Sequence, residues 1–296
     1  MSSVSSTLPV LVMTRNDGPF LKQCVESMIN TVTIPVTIYI IDNHSDSPEH
    51  QAILNDLKAR FDNIKLVLNK KNLWILGLNE TIKKIKNTHN SKYFFLTDAD
   101  IDFSDCQAKP CWLSYLIQNL DSNVSIGKIG ISLSWDYLEK HDELLPILEQ
   151  EKALYSEDHK IDDLYVSAVD TTASLFRFDW SLENSGFLYP DHMRYLKPEL
   201  YSCRTPRDIC VEHLGWLLYK RKESLSLRSV NSKVLCFTFV GGSIKDTILS
   251  SSSFHYALFY KLFSRLFFVL WMSRRYVFLF KYIMNKGRKK FDGHGV

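Results

Sequence analysis

Within the first 100 residues, a short apolar run gives way to a polar cluster and then to a helical pattern about four times over. LPVLVM at 8–13 ends at Thr14-Arg15-Asn16-Asp17, and the spacing of Phe20, Leu21, Cys24, Val25, Met28 and Ile29 predicts a helix over 19–31. VTIYII at 36–41 ends at Asp42-Asn43-His44-Ser45, with a helix predicted over 50–61. IKLVL at 64–68 ends at Asn69-Lys70-Lys71-Asn72, with a helix over 75–87, and KYFFLT at 92–97 stops at Asp98-Ala99-Asp100. Such alternation predicts a mainly parallel sheet covered by helices, an α/β fold. Ligands of these sheets bind at the carboxyl ends of the strands. The four polar clusters, scattered in sequence, are therefore expected to converge in space.

The second half is less regular. Strands are expected at 128–135, 164–169 and 171–178, and helix plus loop over the charged residues 137–160. Gly186, Pro190, Pro198 and Pro206 mark 183–212 as loops. There is no internal repeat and no low-complexity tract. With 45% hydrophobic and 23% charged residues, the 296-residue chain can build one large α/β domain or two modest ones. A net charge of +3 is too small to indicate a nucleic-acid partner. Six cysteines without a CxxC pair read as free thiols of a reducing cytoplasm. The N-terminus lacks the basic and long apolar regions of a secretory signal.

The C-terminal segment changes character. From Phe254 to Phe291 there is no Asp or Glu, and Lys and Arg recur among Phe, Leu, Trp and Tyr. The basic residues interrupt the run of ~20 apolar residues that a spanning helix needs. A helix lying in the interface of an anionic membrane fits this pattern better. The alternative is a terminal helix packed on the core or on another subunit. The organisation expected is 1–105 and 106–245 as two halves of one domain, with 246–296 as a basic amphipathic tail.

The strongest chemical signal is Asp98-Ala99-Asp100 after a buried strand. On an extended chain, residues i and i+2 point to the same side, so both carboxylates can face one ion. Mg²⁺ or Mn²⁺ prefers such oxygen ligands and shares them with substrate phosphates. An Asp-x-Asp triplet also occurs in ordinary turns. Its place at the end of the fourth strand favours the metal site.

These features together resemble the family 2 glycosyltransferases of the GT-A fold, a Rossmann-like mixed sheet flanked by helices. The resemblance rests on Thr14-Arg15-Asn16, Ile41 to Ser45, Asn69 to Gly77, and Asp98-Ala99-Asp100, about a third of the chain. His44 stands where the family usually has glycine, and Asn72 is separated from Gly77 by more residues than the family pattern has. The resemblance implies that Thr14 and Arg15 contact a nucleotide and that Asp42 hydrogen-bonds the base. It places Asn43, Asn72, Gly77, Asp98 and Ala99 in the nucleotide-sugar site.

Further on, Asp170-Thr171-Thr172 resembles an Asp-Thr-Thr stretch at the acceptor side of a subgroup. Glu212-His213-Leu214-Gly215-Trp216 resembles that subgroup's His-Leu-Pro-Trp stretch, with Gly215 in place of proline. This implies His213 as a late metal ligand beside Asp98 and Asp100, and Trp216 on the acceptor side. An inverting transfer needs a base for the acceptor hydroxyl. Asp170 is the first candidate; Asp158, Asp162, Asp163 and Asp208 remain open.

The implied activity is transfer of a sugar from a nucleotide-diphosphate donor, UDP-linked, to a saccharide or lipid-linked saccharide. The implied setting is bacterial surface polysaccharide or glycolipid assembly, peripheral on the cytoplasmic face of the inner membrane. A sugar-phosphate nucleotidyltransferase would open with a Gly-rich phosphate loop, and residues 10–20 contain only Gly18. A glycosidase would place two carboxylates on either side of the scissile bond. An inactive membrane-bound scaffold is the remaining alternative, and intact Asp98, Asp100 and His213 argue against it.

Overall fold

A computed structural model describes residues 6–169, 171–178, 202–218 and 226–286. Strands β1 (Leu8–Thr14), β2 (Val36–Asp42), β3 (Ile64–Leu68) and β4 (Tyr93–Asp98) are parallel, in the order β3-β2-β1-β4. Helix α1 (Gly18–Thr31) follows β1, α2 (Pro48–Arg60) follows β2, and α3 (Asn79–Thr88) precedes β4. Ser47 caps α2 by accepting from the His50 N–H, and Pro48 supplies the fixed φ of its first turn. The chain leaves β1 toward β2 on one side and adds β4 on the other. This reversal, with Met13 in register with Asp98, opens a crevice at the carboxyl ends of β1 and β4.

The remainder comprises β5 (Ile101–Asp102), α4 (Trp112–Ser122), β6 (Lys128–Gly130), β7 (Ser132–Leu133), α5 (Asp136–Glu139), α6 (Leu145–Lys152), β8 (Lys160–Ile161), β9 (Leu164–Val166), β10 (Ser174–Arg177), β11 (Ser202–Arg204) and β12 (Cys210–His213). Strand β10 joins the large sheet antiparallel to β4 and β6. Among the described residues this sheet has the order β3-β2-β1-β4-β10-β6-β11-β9-β8, and a smaller one runs β5-β12-β7. The result is the expected α/β architecture, a large mixed sheet flanked by helices.

Two local expectations are corrected. The single strand expected at 128–135 is split between the two sheets. The Ile131 N–H donates to Ala173 and the Ser134 N–H to Val211, so the chain steps from one sheet to the other. The loop expected through 212 contains β11 and β12, because Pro206 sits in the turn between them rather than inside either strand. Residues 183–201 lie outside the described residues.

Alternation along the strands feeds two cores. Val10, Val12, Ile38, Ile40 and Phe95 pack with Leu21, Val25, Leu57 and Trp112 of α1, α2 and α4. Leu11, Tyr39, Ile41, Phe94 and Leu96 pack on the opposite face with Ile82 and Ile85 of α3. That second face is completed by Cys236 of α7 (Leu227–Phe239) and by Val240. After the short α8 (Asp246–Ser250), the basic aromatic segment forms one helix, α9 (Phe254–Lys286). It lies against α7: the Trp271 indole N–H donates to Phe239 O at 2.8 Å, and the Phe239 ring meets Phe259 and Phe267. No described helix is long and apolar enough to cross a membrane.

Candidate active site

The loops after β1 and β2 are tied into one platform. Asn16, at φ 59°, accepts from the N–H groups of Asp46 and Ser47 and donates from its own N–H to Ser45 Oγ at 2.8 Å. Thr14 is buried at the end of β1, and its hydroxyl has no hydrogen-bond partner among the described residues. Arg15, half-buried beside it, likewise keeps an unpartnered Nε, while its N–H donates to Asp17 Oδ2. Both residues thus sit at the switch point with polar capacity to spare.

Asp42 is 2% exposed. It accepts from the Ser45 N–H and, through a short contact, the Ser45 hydroxyl, with His50 Nε2 3.2 Å away. Burial pushes its carboxyl up, but the adjacent His50 ring and the hydrogen bonds from Ser45 outweigh this and hold it below the ordinary aspartate value. The His50 ring is fully buried, and the sequence reading missed it because it hides within a helix pattern.

Asn43 donates to Trp74 O and accepts from Asn69 Nδ2, both at 3.0 Å. A Cβ on Gly77 would lie 2.5 Å from Asn43 Oδ1 and 2.6 Å from Asn69 Nδ2, so a larger residue there would have to displace this amide pair. The 3-10 turn Trp74–Leu78 presses on the β2 and β3 loops, and Asn72 caps its entry by accepting from the Trp74 N–H at 2.9 Å.

The Asp-x-Asp pair stands at the end of β4. Asp98 Oδ2 accepts from the Thr172 hydroxyl at 3.1 Å, and Ala99 between the carboxylates is buried. Antiparallel pairing of β5 with β12 brings residue 213 to this place, with His213 opposite Ile101 and the Leu214 N–H donating to Asp100 O at 2.7 Å. His213 Nε2 is 3.8 Å from Asp100 Oδ2. A Cβ on Gly215 would overlap Asp100 Oδ2 and approach His213 Cε1 to 2.7 Å. Trp216 is buried and its ring stacks on His213 at 5.0 Å between centroids.

Among the described residues no three His, Cys, Asp or Glu side chains are already gathered as a metal-ligand set. The donor chemistry nevertheless fits a divalent ion. Asp100 Oδ1 and His213 Nδ1 are buried without a hydrogen-bond partner among the described residues, and oxygen plus imidazole suits Mn²⁺. Asp17 is a further carboxylate that the sequence reading did not single out. Burial raises its pKa first, and the nearby Asp100 charge adds to the rise.

A cavity of about 220 Å³ opens beside His213, lined by Ser134, Asp136, Tyr137, Lys140, Glu212 and Trp216 among others. The Glu212 carboxyl is raised by burial and by the charges of Asp102, Asp105 and Asp136. Of this cavity the stretch from Glu212 to Trp216 was legible in sequence, whereas α5 reaches it from a segment without a motif. Thr171 is half-buried next to Thr172. Asp170 lies outside the described residues. Of the other base candidates, Asp158, Asp163 and Asp208 are exposed, and Asp162 accepts from Asn123 at 3.2 Å in the β8–β9 turn.

A family model described as Glycosyl transferase family 2 matches residues 10–183. No curated protein matches the sequence at a significant level. Among solved structures, the chain is similar to the mannosyltransferase PcManGT from Pyrobaculum calidifontis in complex with GDP-Man and Mn²⁺. The identity is 12% and the TM-score 0.46, over 97% of this chain and 79% of that one. It is similar to GalNAc-T7 with UDP, GalNAc and Mn²⁺ at 14% identity and TM-score 0.45, over 70% of this chain and 43% of that one. A third similarity is to S. aureus TarS 1–349, at 10% identity and TM-score 0.42, over 85% and 70% of the two chains.

Proposed function

The chain belongs to glycosyl transferase family 2, and on that premise we propose that it is a metal-dependent, inverting transferase that moves a sugar from a UDP-linked donor to an acceptor hydroxyl. The observation that carries this reading is the meeting of Asp100 and His213 beside Asp98 at the switch point of the sheet. Asp98, Asp100 and His213 would hold Mn²⁺ or Mg²⁺. The chemistry supplied by such an ion, when bound, is neutralisation of charge on the departing diphosphate.

The chain's own groups account for the remainder. Thr172 orients the Asp98 carboxylate through its hydroxyl. Thr14 and Arg15 offer unpartnered polar atoms to the nucleotide, and the platform of Asp42, Asn43 and Asn69 fixes the loops that would receive its base. The cavity beside Trp216 would take the acceptor, where aromatic and carboxylate groups suit the apolar face and the hydroxyls of a sugar. Asp170 would remove the hydroxyl proton as the acceptor oxygen bonds to the anomeric carbon and the bond to the diphosphate breaks on the opposite side. A saccharide or lipid-linked saccharide acceptor, as in bacterial surface polysaccharide or glycolipid assembly, completes the proposal.

Asp100→Asn is expected to keep the melting temperature and to lower transfer about a hundredfold or more. It should also abolish the manganese-dependent thermal shift given by UDP. Near-normal turnover in that variant would remove the metal assignment. Asp170→Asn, compared with Glu212→Gln, assigns the base: loss of turnover confined to Glu212→Gln would transfer that role to the cavity carboxylate. Metal-dependent UDP binding with no transfer to any acceptor would support a silent scaffold instead.

A further inference from the structure

We propose that the outward face of α9 is a docking surface for an anionic lipid bilayer, with the helix lying along the membrane plane. The helix has 33 residues, a length of about 50 Å. Its inner face is fixed by Trp271, which is 4% exposed and bonded to Phe239 O. Leu262 and Phe280 each lie nine positions from Trp271, about two and a half turns, and therefore on the opposite side. They are 63% and 65% exposed. Phe254, Leu258, Leu266, Val269, Val277 and Met284 are exposed too, and recur at the three- and four-residue spacing of one stripe. An apolar stripe of this length facing water is unusual for a protein surface and marks a partner.

Charge identifies the partner. Exposed Lys261 and Arg265 flank the stripe on one side and exposed Lys281 on the other, where long basic side chains can reach headgroups while the stripe enters the acyl boundary. Residues 254–296 hold nine Lys or Arg and one Asp, a net of +8. Because the whole chain carries +3, the preceding 253 residues carry a net of −5. An anionic surface would thus draw in the helix and repel the body, which orients the molecule. A second copy docked on the same face would set two carboxylate-free basic helices against each other.

The test needs no turnover, so it stands apart from the transferase reading. The full-length chain is floated with vesicles of phosphatidylcholine, alone or with roughly a third phosphatidylglycerol. Binding is expected only to the anionic vesicles and should weaken at high salt. The double variants Leu262→Ser/Phe280→Ser and Lys261→Glu/Arg265→Glu are each expected to bind about tenfold more weakly. Unchanged melting temperatures would show that both remain folded, since these side chains are exposed. Equal flotation of the variants and the wild type, or no binding by the folded wild type, overturns the proposal. So does a stable dimer by light scattering that the same substitutions dissolve.

Discussion

His44 occupies φ 64°, a left-handed conformation that costs a β-carbon-bearing residue roughly 1 kcal/mol and glycine almost nothing. The motif that this stretch resembles has glycine here, the residue for which a positive φ carries no steric cost. His44 is also exposed, with no core packing to lose. His44→Gly is therefore expected to leave the platform intact and to change stability by less than about 1 kcal/mol in either direction, since relief of strain opposes the greater entropy of the unfolded chain. A urea unfolding curve measures this. A loss well beyond that figure would show that the His44 side chain makes a contact of its own. Ala173, at φ 47° and fully buried before β10, holds the same kind of backbone next to the Thr172 that orients Asp98.

At the scale of elements, the decisive pairing is β5 with β12. Each strand is short, yet together they carry the Asp-x-Asp end of β4 to His213 across more than a hundred residues of sequence. Gly215 permits the closeness, because any Cβ there would enter the space of Asp100 Oδ2. Gly215→Ala is expected to displace the Asp100 carboxylate, at a cost of about 1–3 kcal/mol in local packing. The readout is the manganese-dependent thermal shift with UDP, which should fall by more than the melting temperature of the free protein does. Equal losses in both would assign Gly215 to folding alone.

Across the whole molecule, hydrogen-bonded carboxylates join elements and should control its acid sensitivity. Asp42 unites the β2 loop with α2 through Ser45 and His50. Asp102 accepts from Gln23 of α1 at 2.6 Å. Burial raises both carboxyls, but hydrogen bonds outweigh it and leave each below the ordinary value of 3.8. Each binds its proton less tightly in the fold than in the unfolded chain. Their stabilisation is thus present above that value and is lost as pH falls through the lower folded value. The melting temperature should accordingly drop below about pH 4. Asp42→Asn should be less stable at neutral pH and show a shallower acid decline in a calorimetric series; a parallel decline would assign the acid sensitivity to other groups.

Local pattern alone determined the alternating α/β half, because strand and helix periods are written in neighbouring residues, and it placed Thr14, Asp42 and Asp98 at strand ends. The basic, carboxylate-free character of α9 was equally plain. Tertiary structure decided everything that depends on long-range pairing: the split of 128–135 between two sheets, the strands hidden among prolines, the approach of His213 to Asp100, and the cavity formed with α5. It also decided which side of α9 packs on α7 and which side faces outward. Two- to four-residue strands have too few side chains to show a period, and their partners are chosen by hydrogen bonds to distant backbone.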